Sequence, residues 1–131
     1  MDQHRFIEWH LLKIMLNKRE KGSFYEKAAG KYLESKGYVI LEYNYRCKVG
    51  EIDIVAKDGD YLVFCEVKYR RTNKKGNALE AIAFSKQKIL SKCALFYITE
   101  RKLSYLPCRF DAVGIDGNKI TLIKNAFDYI G

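Results

Sequence analysis

The sequence has little of what marks disordered, disulfide-bonded or membrane-spanning chains. One proline and nine glycines among 131 residues, with 48% apolar residues, exclude a collagen-like, low-complexity or disordered protein. The four cysteines include no CxxC pair and have no closely spaced histidine, so neither a zinc site nor a disulfide framework is indicated. No run of about 18 apolar residues and no signal-peptide pattern occurs, so we expect a cytoplasmic protein with reduced thiols.

Acidic residues are outnumbered by basic ones. Twenty-four Lys and Arg against sixteen Asp and Glu give a formal net charge of +8. This excess favours an anionic partner, such as nucleic acid or an acidic membrane surface. The length suits one domain and is too short for a catalytic domain with a separate recognition domain.

The chain is predicted to consist of an extension, residues 1–20, and a single domain, residues 21–131. The extension has an amphipathic helical pattern, which suits docking on the domain, pairing with a second subunit or binding at a membrane surface. The apolar residues on one face of this pattern are Ile7, Leu11, Ile14 and Met15. Docking is the commonest use of such a helix, so we expect no membrane association.

The domain is predicted to contain a helix, three strands, a long helix and two further strands. Ser23 with Glu26 three residues later forms a capping box, which predicts a helix to about Lys36. Apolar patterns predict the strands, and a helical stripe predicts the long helix over about 78–97. The order α-αβββαββ predicts an α/β fold with a mixed sheet flanked by helices. Asp111, in an apolar strand, is expected in a buried hydrogen-bonded network.

The second and third strands are predicted to form a hairpin with charged residues at its ends. A two-residue turn at Asp58-Gly59 would pair Asp53 with Phe64 and Glu51 with Glu66. Asp53 and Glu66 would then be diagonal neighbours, with Cβ atoms about 7 Å apart. Because side chains alternate across a strand, four charged residues share one face: Glu51, Asp53, Glu66 and Lys68.

Clustered carboxylates at the end of a buried sheet need a neutralising partner. Like charges about 4 Å apart repel by about 4 kcal/mol at an effective dielectric constant of about 20. Lys68 offsets part of this repulsion, and a hard divalent cation, Mg²⁺ or Mn²⁺, prefers such oxygen ligands. A metal and an ammonium together suffice for phosphodiester hydrolysis. The residues alone leave open a solvated Glu51–Lys68 ion pair with Asp53 capping a turn.

Five stretches between about Ser23 and Phe127 resemble the PD-(D/E)xK nuclease superfamily, which has the restriction-endonuclease-like fold, and more closely the uncharacterised YraN-like family. They read YEKAAGKYLESKGYVIL, NYRCKVGEIDIVAKDGDYLVFCEVKYR, KQKIL, RFDAV and NAF. The glutamate of EVK follows the aspartate of GEID by thirteen residues. The two motifs in this order, with the flanking stretches, make the resemblance specific.

The resemblance implies the chemistry of the site. Asp53 and Glu66 would be the ligands of Mg²⁺ or Mn²⁺, and Lys86 and Gln87 on the long helix would contact nucleic acid. The architecture is similar to that of archaeal Holliday-junction resolvases, which implies a homodimer acting on branched DNA. The implied catalytic residues are Glu26, Asp53, Glu66 and Lys68.

Two positions depart from the pattern of these families, and one conflict concerns the ligand. Ile52 stands where the motif has proline, and Tyr25 stands where the family usually has glycine, but neither change removes a ligand. A regular ladder sets Glu51 opposite Glu66, whereas the motif makes Asp53 the ligand. We expect Asp53 to be the ligand, since strand twist or a bulge can splay the end of a ladder.

A basic loop follows the hairpin, with the sequence KYRRTNKKGN. A solvated loop would have the same composition, but this loop begins at the candidate site, so we favour contact with phosphates. No base-reading motif is visible, so sequence specificity is not expected. The candidate phosphate-binding residues of this loop are Arg70, Arg71, Lys74 and Lys75.

Three functions are compatible with these patterns. The first is a metal-dependent nuclease that hydrolyses phosphodiester bonds in DNA and selects a branch, an end or a single strand rather than a sequence. The second is a non-catalytic nucleic-acid-binding or assembly protein on a nuclease scaffold. The third is a membrane-surface protein that uses the leading helix and the basic charge. We favour the first because it accounts for Glu66, which directly follows an apolar run.

Overall fold

The computed structural model describes residues 18–70 and 82–131. The extension up to residue 17 and loop residues 71–81 lie outside the described residues. Within the described part, no helix has the length and apolar character needed to cross a membrane. The elements in chain order are α1 (Lys18–Ser35), β1 (Val39–Cys47), β2 (Gly50–Asp58), β3 (Tyr61–Arg70), α2 (Phe84–Arg101), β4 (Cys108–Asp116) and β5 (Lys119–Phe127).

The five strands form one open, mixed sheet in the order β1-β2-β3-β4-β5. Neighbouring strands are antiparallel except for β3 and β4, which are parallel. A parallel pair needs a crossover, and the connection from β3 to β4 contains α2. The mixed α/β fold and the order α-βββ-α-ββ predicted from the sequence are therefore confirmed.

Within residues 18–70 and 82–131, one helix covers each face of the sheet. Helix α1 packs Ala29 and Leu33 against one face, and α2 packs Leu90 and Ala94 against the other. The central strand β3 is buried from residue 62 to residue 67 because its side chains enter both cores in turn. This confirms the prediction that its apolar run is covered above and below.

Helix α1 is longer than the capping box predicts. It is continuous through Lys21–Ser23, so Ser23 lies inside the helix, and the predicted cap at this residue is wrong. An interior glycine costs about 1 kcal/mol relative to alanine. Tertiary packing offsets this cost at Gly22, since the next turn places the Tyr25 ring in a stack on the Tyr69 ring, with centroids 4.0 Å apart. Glu26 is therefore not needed as a capping residue.

Helix α2 begins and ends later than the stripe over 78–97 predicts. Ala83 has an extended backbone, with φ −56° and ψ 144°, so the helix begins at Phe84. It ends at Arg101 because Lys102 takes the left-handed conformation and directs its N–H to the carbonyls of the last turn. Both ends depend on backbone conformation, which an apolar stripe does not specify.

Asp111 anchors a buried network that joins several strands, as the sequence predicts. Its carboxylate is fully buried and accepts bonds from the Tyr38 hydroxyl at 2.7 Å and the backbone N–H of Asn125 at 2.9 Å. Two nitrogens of Arg109 donate to it at 2.8 Å, and Arg109 also donates to Asp58 at 2.7 Å. Every oxygen of Asp111 is thus satisfied, which explains how a charged group is tolerated in the core.

Candidate active site

The hairpin register differs by two residues from the predicted one. Asp58 pairs with Tyr61 and Val55 pairs with Phe64, so the turn is Gly59-Asp60 rather than Asp58-Gly59. Gly59 has φ 61°, and a two-residue turn with glycine first needs a positive φ at that position. The predicted opposition of Asp53 to Phe64 is therefore wrong.

Strands β2 and β3 part just beyond their last pair, Ile54 with Cys65. One step further, the same register brings Asp53 level with Glu66. At this point the backbone N–H of Val67 donates to Asp53 Oδ2 at 2.8 Å, so a side chain takes the place of a ladder hydrogen bond. The carboxyl group of Asp53 is thereby held in the gap between the two strands.

At Asn44, the side chains of β1 and β2 switch from one face of the sheet to the other. Tyr43 and its partner Ile54 belong to the core under α1, whereas Tyr45 and its partner Ile52 belong to the core under α2. Residues two apart on a regular strand share a face, so both strands rotate here. Asn44 lies at the rotation with φ 54°.

This rotation separates Glu51 from the other acidic residues of the hairpin. Glu51 lies opposite Arg46 on β1 and forms an ion pair with it at 3.1 Å. Its charge acts on Glu26 of α1. The prediction that Glu51 shares a face with Asp53 and Glu66 is therefore wrong, because the alternation is interrupted between them.

Asp53 and Glu66 form a buried acidic pair. Burial raises the pKa of Asp53 to about 8, and the charge of Glu66 and a hydrogen bond with Glu66 act in the same direction. The Val67 N–H and the charge of Lys86 oppose this rise. Glu66 is 8% exposed, and its Oε2 has no hydrogen-bond partner among the described residues. Lys86 Nζ faces that oxygen at 3.7 Å, an ion pair longer than a hydrogen bond.

Glu26 approaches the pair from α1. It follows Tyr25, which is buried in the core, and it interacts with Asn44 and Arg46 of β1 and with Glu51 and Asp53 of β2. Burial raises the pKa of Glu26 to about 7, and the charges of Asp53 and Glu51 add to this, while a hydrogen bond from the Asn44 side chain lowers it. The predicted catalytic residue thus lies within electrostatic reach of Asp53.

Two lysines approach the acidic pair from the side of the sheet that α2 covers. Lys86 lies in the first turn of α2, where the helix dipole favours anions over cations. Its ion pair with Glu66 offsets that cost. Lys68 is partly exposed and lies two residues beyond Glu66 on β3, so by alternation it is on the same side of the strand.

Most of the chain is similar to known proteins. Residues 25–115, which include every candidate site residue from Glu26 to Lys86, match the family described as "Uncharacterised protein family UPF0102". The chain belongs to this family. A UPF0102 protein of Lachnoclostridium phytofermentans is 48% identical, and the match covers 88% of this chain and 99% of that protein. A UPF0102 protein of Caldicellulosiruptor saccharolyticus is 44% identical, over 86% of this chain and 100% of that protein.

The other residues predicted to contact nucleic acid have these positions. The Gln87 side chain donates to the Ile82 carbonyl at 2.9 Å at the start of α2. Arg70 Nε lies 3.4 Å from Asp116 Oδ1 at the end of β3. Arg71, Lys74 and Lys75 lie outside the described residues.

Two residues beside Glu26 were not predicted as part of the site. Neither Asn44 nor Arg46 is among the residues predicted for the site, yet both act on Glu26. The available signal was an asparagine inside an apolar strand, since asparagine tolerates positive φ better than most residues do.

The acidic pair fits a hard divalent cation. Among residues 18–70 and 82–131, no group of three or more His, Cys, Asp or Glu side chains is arranged to hold a metal ion. Mg²⁺ often takes only one or two carboxylates and completes its shell with carbonyls, waters and phosphate. The unsatisfied Oε2 of Glu66 and the raised pKa of Asp53 both indicate carboxyl oxygens that need positive charge. The fit is therefore to a two-carboxylate site.

Proposed function

We propose that this chain is a Mg²⁺- or Mn²⁺-dependent nuclease of the PD-(D/E)xK superfamily that hydrolyses phosphodiester bonds in DNA. The observation that carries the proposal is the acidic pair in the gap between β2 and β3, where burial and the charge of Glu66 raise the pKa of Asp53 and Lys86 Nζ lies 3.7 Å from Glu66 Oε2. The GEID and EVK motifs support it. The family is uncharacterised, so the activity is inferred from the chemistry of the site.

Each side chain has a role suited to its environment. Asp53 and Glu66 would hold the cation, which when bound polarises a phosphodiester and makes water more acidic. The Lys68 ammonium stabilises charge that develops on the phosphate. Glu26, whose pKa is about 7, is suited to exchange a proton with water near neutral pH. Lys86, 39% exposed, can turn from Glu66 toward a phosphate once a cation is present.

The proposed substrate is DNA of a particular structure rather than a particular sequence. The net charge of +8 favours a polyanion, and the sequence contains no base-reading motif. A branch, an end or a single strand would then be recognised by shape. A domain of this size covers little DNA, which supports action as a homodimer, and we propose that the protein acts in the cytoplasm.

A second candidate is a nucleic-acid-binding or assembly protein that has the scaffold without catalysis. One observation favours it: the site is already partly neutralised. Asp53, with a pKa of about 8, holds a proton at neutral pH, and Lys86 faces Glu66. A cation is therefore not required for the fold to tolerate the pair.

Digestion of a substrate panel distinguishes these candidates. A four-way junction, a flap, a nicked duplex, an intact duplex and a single strand are incubated with Mg²⁺ or Mn²⁺. We expect metal-dependent cleavage of at least one substrate, reduced by about 100-fold or more in Glu66→Ala and in Lys68→Ala. Lys36→Ala removes an exposed lysine at the far end of α1 and is the matched control.

Folding, by circular dichroism, and DNA binding should be retained in all three variants. Equal metal-dependent cutting by wild type, Glu66→Ala and Lys68→Ala would contradict the proposed mechanism. DNA binding with no cleavage of any substrate would favour the second candidate.

A further inference from the structure

We infer that Asn44 is a positioning residue that keeps Glu51 away from the Asp53–Glu66 pair and holds Glu26 beside that pair. The inference rests on the proposed function only in treating Asp53, Glu66 and Glu26 as residues of one site. Its basis is the backbone of β1 and the contacts of the Asn44 side chain.

The backbone of Asn44 is in the left-handed region, inside a strand. Among the described residues, three that are not glycine have positive φ: Asn44 at 54°, Lys102 at 56° and Asn125 at 54°. Lys102 ends a helix, where this conformation is common. Asn44 has no such reason, because β1 continues on both sides of it and stays paired with β2.

The consequence of this conformation is the exchange of faces. The pairs Tyr43–Ile54 and Tyr45–Ile52 flank Asn44 and enter opposite cores. Without the exchange, Ile52 would share a face with Ile54, and the polar residue before it would move to the face of Glu66. The rotation therefore keeps a third acidic group away from the pair.

Glu51 is the group that is moved. With regular alternation it would share a face with Asp53 and Glu66, as the sequence alone predicts. In the structure it is paired with Arg46 at 3.1 Å, on the side of Glu26. Asp53 lies at the rotation itself, where its carboxylate can accept the Val67 N–H.

The side chain of Asn44 adds a second contribution. Its amide forms a hydrogen bond with Glu26 of α1, which lies beside Asp53. Asn44 thus determines to which face the side chains of β2 point, and it also holds Glu26 beside Asp53.

The test separates the backbone from the side chain. Asn44→Gly keeps the left-handed conformation and removes the amide, whereas Asn44→Ala disfavours the conformation and also removes the amide. Asn125→Ala is the matched control, since Asn125 has the same φ of 54° but lies on β5, where its backbone contacts Asp111.

The first readout is the Val67 amide, because it reports the bond to Asp53 without metal or substrate. We expect Asn44→Ala to shift its proton resonance and to lower its hydrogen-exchange protection by about tenfold beyond any change at Phe64. Asn44→Gly should restore both, and Asn125→Ala should leave both unchanged. Should Asn44→Ala not fold, Asn44→Ser, which also disfavours the left-handed conformation, replaces it.

The second readout is cleavage, which Asn44→Gly should reduce by about tenfold or more through loss of the contact to Glu26. An unchanged Val67 amide in a folded Asn44→Ala, or an equal change in Asn125→Ala, would overturn the inference. Full cleavage by Asn44→Gly would overturn the role of the amide. If the wild type cleaves nothing while Val67 responds as expected, the nuclease proposal fails and the positioning role stands.

Discussion

Asp53 and Glu66 are the residues whose surroundings conflict most with their usual charge. Burial and mutual repulsion favour a proton on Asp53, while the Val67 N–H and Lys86 favour the ionised form. The pair therefore has two ways of being neutralised, by a proton or by a cation. Because a proton and a cation compete for the same carboxyl groups, the stability of the protein should depend on pH.

In the absence of divalent ions, we expect stability to fall as pH rises from about 5 to about 8. Folding raises the pKa of Asp53 to about 8 and that of Glu26 to about 7, so both groups bind protons more tightly in the folded state. The resulting stabilisation is complete below their unfolded pKa values and is lost as pH rises through the folded ones.

The variant Asp53→Asn cannot ionise, so it should flatten the upper part of this pH profile. The measurement is urea unfolding in EDTA at several pH values, with Asp128→Asn, an acidic residue of the C-terminal segment, as the control variant. A wild-type profile that rises with pH, or one that Asp53→Asn leaves unchanged, would contradict the assigned surroundings of Asp53.

Much of the site could be predicted from residue spacing, but its geometry could not. Asp53, Glu66 and Lys68 are identifiable because they follow the GEID and EVK motifs and because Glu66 directly follows an apolar run. The separation of Glu51 was not predictable, because alternation assumes a regular strand and one left-handed residue, Asn44, reverses it.

At the scale of elements, α1 approaches β1 through a glycine. A Cβ atom added to Gly30 would meet the Tyr43 ring, with Cζ at 2.8 Å, whereas one added to Gly22 would lie 3.8 Å from the Tyr69 hydroxyl. The first distance requires a shift of the ring, and the second is ordinary contact. The same helix therefore contains a tight and a permissive glycine.

We predict opposite effects of one substitution at these two positions. Gly22→Ala should raise the free energy of unfolding by about 0.5–1 kcal/mol, because alanine loses less backbone entropy in a helix. Gly30→Ala should lower it by about 1–3 kcal/mol, because the gain in propensity is exceeded by overpacking. Each variant is the control for the other in urea or thermal unfolding, and equal effects would contradict the packing of α1.

The order of the elements was predictable because apolar periodicity differs between helices and strands. The residues at which the elements begin and end were less predictable. The start of α1 was missed because Ser23 with Glu26 has the spacing of a cap, yet packing of Tyr25 on Tyr69 continues the helix through Gly22. The turn of the hairpin lies one residue later than predicted. Gly59 can occupy either position of a two-residue turn, and the sequence alone does not distinguish the two.

At the scale of the whole molecule, the site requires both helices. Glu26 comes from α1 on one face of the sheet and Lys86 from α2 on the other, while the acidic pair lies between them at the end of the sheet. The network around Asp111 is separate from this site. The formal net charge of +8 would favour the approach of the polyanion that we propose as the substrate.

DNA binding should weaken with salt, and Lys86 should contribute to it. If Lys86 contacts a phosphate, Lys86→Ala should reduce the slope of log affinity against log salt concentration by about 1. Lys36→Ala, at the other end of the molecule, should leave the slope unchanged. Fluorescence anisotropy with a labelled single strand measures both, and equal slopes for wild type and Lys86→Ala would exclude the phosphate contact.

Asp53 and Glu66 are proposed to share one divalent cation, and Mn²⁺ titration calorimetry at about pH 8, with non-cleavable DNA present, measures that binding. We predict that the wild type and Lys36→Ala bind Mn²⁺ and that Asp53→Asn and Glu66→Gln do not. The shared cation would be contradicted if the wild type did not bind Mn²⁺, or if Asp53→Asn and Glu66→Gln bound Mn²⁺ as tightly as the wild type does.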